Sequence, residues 1–216
     1  WNENRSNKLK INNLLGKVKK EIETDLTEIN NLITFFYFKD SINQLIRNKK
    51  LNALDYRSPS AGSLISSIIN YSGLNLKRNG YDNLMKVQDI IPDSYEPIID
   101  KLSILYNNHY STVKEVDARF MDLVINNIEY LHENFSWFSS MGIDLSDDQI
   151  EFLVKSPKYQ SMVALYQGMS TSNLVPASIR YLQSAKDAYE DISVILEGSN
   201  SSVTTLKQIQ VDRANL

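Results

Sequence analysis

The sequence predicts an all-α protein: an elongated antiparallel helical bundle with two long helices, at about 4–50 and 95–141, and several short capping helices. Three observations carry this. Apolar residues recur three and four positions apart through both long stretches, the period of a helix and not of a strand. No run alternates apolar with polar residues or gathers β-branched ones as a sheet would. The seven glycines and five prolines mostly punctuate the ends of the periodic runs.

In chain order, Ile11, Leu15, Val18, Ile22, Leu26, Ile29, Ile33 and Phe36 form the first stripe. It widens at Phe35–Phe38 and at Ile42, Leu45 and Ile46, so burial from more than one side is expected there. Ser58-Pro59 should cap a short helix to Ser72, with Gly73 in the left-handed conformation that ends it. Asn79-Gly80 reads as a turn before another short helix, Tyr81 to Ile91, which Pro92 stops. Asp93 and Glu96 have capping-box spacing at the entrance of the second long helix. From Pro97 to Met141 there is no glycine and no further proline. Leu102, Leu105, Val113, Val116, Phe120, Leu123, Leu131, Phe135 and Phe138 form its stripe, and at 1.5 Å per residue it should be roughly 60 Å long.

Beyond Gly142, the stretch Ser146-Asp147-Asp148-Gln149 gives a second capping box. Its acidic residues lack the alternating ligands and terminal glutamate of a calcium loop. Ser156-Pro157 opens a helix to Gly168. A polar loop, Ser170 to Asn173, leads to a helix from Leu174 to Glu197 whose inner face is Ile179, Leu182, Ala185, Ile192 and Ile195. A final amphipathic segment runs from Ser201 to Leu216. The whole of 1–216 reads as one helical domain.

Composition bounds the function. A net charge of −3 offers no basic surplus for nucleic acid. With no cysteine there is no disulfide, thiol nucleophile or thiolate metal site. His109 and His132 are too far apart on one helix to share a metal, at about 35 Å. No G-x-S-x-G elbow or phosphate-binding glycine loop occurs, and Glu-x-x-His occurs once, at Glu129–His132, where a di-iron bundle needs two. The expectation is a non-enzymatic chain with no catalytic residue, cofactor or metal. Polar residues in the apolar stripes are the candidate site: His109, Asn127 and Asp40 either hydrogen-bond within the core or line a pocket between helices.

Trp1-Asn2-Glu3-Asn4-Arg5 resembles the signature that follows the membrane span in an uncharacterised family of bacterial single-span proteins. Tyr71-Ser72-Gly73-Leu74-Asn75-Leu76 is similar to that family's S-G-x-L segment, and Leu102 through Tyr110 to its L-x-x-Y-Y region. The similarity covers roughly residues 1–120 and departs at Asn79-Gly80 and Pro92. It implies a membrane helix before Trp1, with a helical domain outside the bilayer on the periplasmic or extracytoplasmic side. Trp1, Arg5, Lys8 and Lys10 would then lie next to the membrane, an aromatic anchor with basic side chains. Two functions fit this reading: protein–protein interaction or scaffolding, with a second copy or another protein as partner, and small-molecule sensing by an extracytoplasmic bundle.

Overall fold

The computed structural model describes residues 2–58, 61–136, 138 and 145–197, and no strand occurs among them. The helices are α1 (Asn2–Arg47), α2 (Ala61–Ile65), α3 (Asn79–Met85), α4 (Glu96–Ser103), α5 (Ser111–Asn134), α6 (Asp147–Lys155), α7 (Pro157–Met169) and α8 (Val175–Glu197). π-helical turns at Ile104–Tyr110 and Ser170–Leu174 join α4 to α5 and α7 to α8. The protein is an all-α helical bundle.

Its described residues form two compact units, one drawn from Trp1–Leu32, Leu74–Lys114 and Ala177–Leu216, the other from Ile33–Gly73 and Glu115–Pro176. In the first, α1 contributes Ile11, Leu15, Val18, Ile22, Leu26 and Ile29, all fully buried. Each such side chain contributes about 1.5–3 kcal/mol on leaving water. Leu102, Leu105, Tyr106 and Val113 join them, as do Tyr181, Ala185, Ala188 and Ile192 of α8. Tyr181 replaces the expected Ile179 and Leu182 at the centre of α8, because its ring is buried while its hydroxyl finds an acceptor in Asp25.

The second unit is built on aromatic rings. Phe120 of α5 meets Phe36 edge-on at 5.2 Å, Tyr71 at 4.9 Å and Tyr166 at 4.8 Å between ring centres. These are the separations that aromatic quadrupoles favour. Gly73 sits at φ 76, and a Cβ there would come within 3.0 Å of Met121 Cε.

Several boundaries differ from expectation. The segment expected to be helical to Ser72 is α2 followed by a 3₁₀ turn, Ser66–Ile68, and then backbone without regular structure to Arg78. Asn79 and Gly80 begin α3 rather than forming a turn. Gly80 is required for close approach, since a Cβ would lie 3.1 Å from Val18 Cα and 2.9 Å from Glu21 Oε2. Asp93 heads a 3₁₀ turn, and no side chain caps α4. The second capping box is present, Ser146 N–H donating to Gln149 Oε1 at 2.7 Å.

The long helix ends at Asn134 rather than Met141, where Asn134 Nδ2 donates to the Tyr130 carbonyl at 2.8 Å and so competes with the backbone. The expected polar loop 170–173 is a π turn. It lies just before Pro176, which has no N–H to give to the preceding turn. The predicted segment 201–216, Gly142 and Pro59 lie outside the described residues.

Phe120→Ala should lower the unfolding free energy by about 3–5 kcal/mol in urea titrations. Ile125→Ala, at a side chain 44% exposed on the same helix, should change it by less than about 0.5 kcal/mol.

Candidate functional site

The polar residues singled out from the stripes prove to have particular tasks. Asn127 is buried, and its Nδ2 donates to the Ile68 carbonyl at 3.0 Å. Asp40 is half-buried and accepts from Gln44 Nε2 at 2.7 Å and Gln167 Nε2 at 2.6 Å. His109 is half-buried within the π turn, which inserts an extra residue and rotates it off the stripe. Leu105 and Tyr106 are both buried there, and downstream Asp117 and Val124 take the inner positions expected of Val116 and Leu123. His109 belongs to the first unit, Asp40 and Asn127 to the second. Arg5, Lys8 and Lys10 are exposed on α1; Trp1 lies outside the described residues.

Asn127 is one of a larger set. In the second unit, side chains of α1 and α7 satisfy carbonyls of the segment from Leu64 to Gly80: Tyr159 Oη donates to Leu64 at 3.3 Å, Lys39 Nζ to Ser66 at 3.2 Å, and Tyr166 Oη to Asn70 at 3.2 Å. In the first unit, three carboxylates of α1 take its N–H groups. Glu28 accepts from Asn75, Asp25 from Lys77 at 2.9 Å and Glu21 from Gly80 at 2.8 Å. Arg78, at the end of the segment, donates to the Tyr106 carbonyl at 3.0 Å, within the π turn of the second long helix. Buried backbone groups need partners, and where no ladder supplies them these side chains do.

Burial pushes the Asp25 carboxyl up to about 6, against the hydrogen bonds from Tyr181 and the Lys77 N–H, which lower it. Glu28 and Glu21 raise it further. Burial beside Asp25 also holds the Tyr181 hydroxyl well above its usual range. Among the described residues Tyr106 Oη and Ser178 Oγ, both buried in this unit, have no partner. Burial lowers Lys39, a residue only 3% exposed.

The second half of α1 has a different character on its outer side. Thr34, Tyr37, Phe38, Ser41, Gln44, Leu45 and Asn48 are exposed and lie along one face over four turns, with no charge among them. Tyr37 is 48% exposed, Phe38 58% and Leu45 41%, so the burial expected on this second side is not provided by the described residues. The signal is visible in the sequence, because between Glu28 and Arg47 the only charged residues are Lys39 and Asp40. One of these is buried and the other half-buried.

Comparison with protein-family models, curated proteins and solved structures finds no match. Among the described residues no helix is long and apolar enough to cross a membrane.

Asp25 predicts a pH dependence with a definite sign. A carboxyl raised from 3.8 to about 6 binds its proton more readily folded than unfolded. The stability this adds is complete below pH 3.8 and is lost as pH rises through about 6, a change of about 3 kcal/mol. Asp25→Asn can keep the Lys77 bond on Oδ1 and turn Nδ2 to Tyr181 Oη. Relative to wild type it should therefore gain stability between about pH 4 and pH 7, read from urea midpoints across that range. A difference that is flat with pH would show that Asp25 ionises normally.

Proposed function

We propose that this chain is a non-enzymatic, membrane-anchored helical domain that works by protein–protein contact, through the uncharged outer face of α1 from Thr34 to Asn48. The observation that carries this is the exposure of Tyr37, Phe38 and Leu45 on a face without charge. Interface centres are enriched in aromatic residues and depleted of charge. A second copy of the chain is the partner this composition fits best, since side chains near the axis of a two-fold contact meet their own counterparts, where like charges would repel. The resemblance of Trp1–Arg5 to a juxtamembrane signature supports anchoring with the domain on the extracytoplasmic side, and the exposed Arg5, Lys8 and Lys10 suit contact with lipid headgroups. Confinement to a membrane raises the effective concentration, so a weak contact is sufficient.

A sensing role is the second reading. It draws on the buried hydroxyls of Tyr106 and Ser178, whose unmet hydrogen bonds a small polar guest would complete.

Sedimentation at several concentrations, with crosslinking of the membrane-anchored protein, tests the interaction reading. Phe38→Glu with Leu45→Glu should leave the helical spectrum and melting temperature unchanged and abolish self-association. Association that persists in the double variant would remove this face from consideration.

A further inference from the structure

On a different face of α1, its last turn and the α6–α7 junction enclose an open depression of about 350 Å³, lined by Arg47, Lys49, Lys155, Pro157 and Gln160. No carboxylate lines it. We infer that this depression is a binding site for a phosphate monoester dianion, held by the Arg47 guanidinium and the Lys49 and Lys155 ammonium groups.

The bland explanation is that basic residues complement the negative ends of α1 and α6. Three features go beyond it. Arg47 is preorganised: its Nη1 donates to Gln167 Oε1 at 2.6 Å, and Gln167, itself buried, is oriented by Asp40, which accepts from its Nε2. One terminal nitrogen is thus fixed to a neutral acceptor, which sets the plane of the fork while its charge stays unneutralised. That is the geometry in which arginine recognises phosphate oxygens.

Lys49 holds φ 52, the only positive φ among the described residues other than glycine. It closes α1 where the Lys49 N–H meets the Ile46 carbonyl and the Lys50 N–H the Leu45 carbonyl, an arrangement glycine suits best. The strained lysine places an ammonium at the rim that glycine would not supply. One turn earlier than Arg47 on α1, Asn43 is 1% exposed, and neither its Oδ1 nor its Nδ2 has a partner among the described residues. A buried amide is left wanting hydrogen bonds on the same helix face.

The charge balance selects the ligand. Lys155 shares its charge with Glu151 at 3.1 Å, so the three cations less that carboxylate leave two net positive charges. A phosphate monoester at neutral pH carries close to two negative charges. A single carboxylate would leave one cation unmatched. α7 begins at Pro157 beside the depression, adding the positive end of its dipole.

Two sources share this chemistry, a soluble phosphate ester and an anionic lipid headgroup, and the test separates them. Backbone amide shifts of the folded chain are followed during titration with inorganic phosphate and with phosphoserine, against chloride at matched ionic strength. Co-sedimentation is measured with phosphatidylcholine vesicles, plain and containing phosphatidic acid. Lys49→Gly removes the ammonium while favouring the local backbone, so it should melt at or above wild type. Arg47→Gln removes the fork.

Saturable shifts confined to 47–50 and 155–160, weakened about tenfold or more in each variant, support the site with a soluble ligand. Vesicle binding that needs phosphatidic acid and is lost in Lys49→Gly supports it with a headgroup. The proposal is overturned by the absence of both responses, or by responses that Lys49→Gly leaves unchanged. Since Phe38 and Leu45 lie on another face, their double variant should retain this binding whatever becomes of self-association.

Discussion

The constraint on which the rest of the structure depends is the need to satisfy backbone groups along a connection that has only short helical pieces and no strand. Between Leu64 and Gly80 the end of α2, a 3₁₀ turn, an irregular stretch to Arg78 and the start of α3 follow one another, and their polar groups find side-chain partners on other helices. In one unit the carbonyls of Leu64, Ser66, Ile68 and Asn70 are met by Tyr159, Lys39, Asn127 and Tyr166. In the other the N–H groups of Asn75, Lys77 and Gly80 are met by Glu28, Asp25 and Glu21. A buried amide without a partner costs roughly 1–3 kcal/mol, so each of these polar residues replaces a loss with a modest gain.

This accounts for groups that look out of place in apolar stripes. Lys39 is buried with its ammonium directed at the Ser66 carbonyl. Asp25 has its carboxyl raised by burial, even though Tyr181 Oη and the Lys77 N–H both donate to it and pull the other way. Arg78 plays the complementary part at the π turn: it bonds the Tyr106 carbonyl and Asn107 Oδ1, each at 3.0 Å, and its guanidinium lies 5.3 Å from the Tyr81 ring centre. A π turn frees a carbonyl from the regular ladder, and here a cation takes it.

The surface also carries uncommitted chemistry. One face of α1 between Thr34 and Asn48 is aromatic and uncharged, whereas the end of the same helix carries Arg47 and a strained Lys49. The first suits contact with an apolar partner, and the second suits an anion. Both follow from a helix that continues past the point where its inner residues alone determine its composition.

The sequence by itself determined the helices, because periodicity is a local record of which side of a helix faces the core. Every member of the α1 stripe from Ile11 to Phe36 is buried. The capping box at Ser146 and the helix start at Pro157 were also legible, since caps depend only on neighbouring residues. Tertiary structure decided the rest. Whether 69–78 continues a helix or becomes irregular depends on distant donors and acceptors, among them Asn127 and Asp25, that make the irregular path affordable in free energy. The π turn at Ile104–Tyr110 moved His109 off its predicted face, a rotation no regular period can anticipate. The depression at Arg47 joins residues more than a hundred positions apart, Lys49 with Lys155 and Gln160, and only the fold brings their charges together.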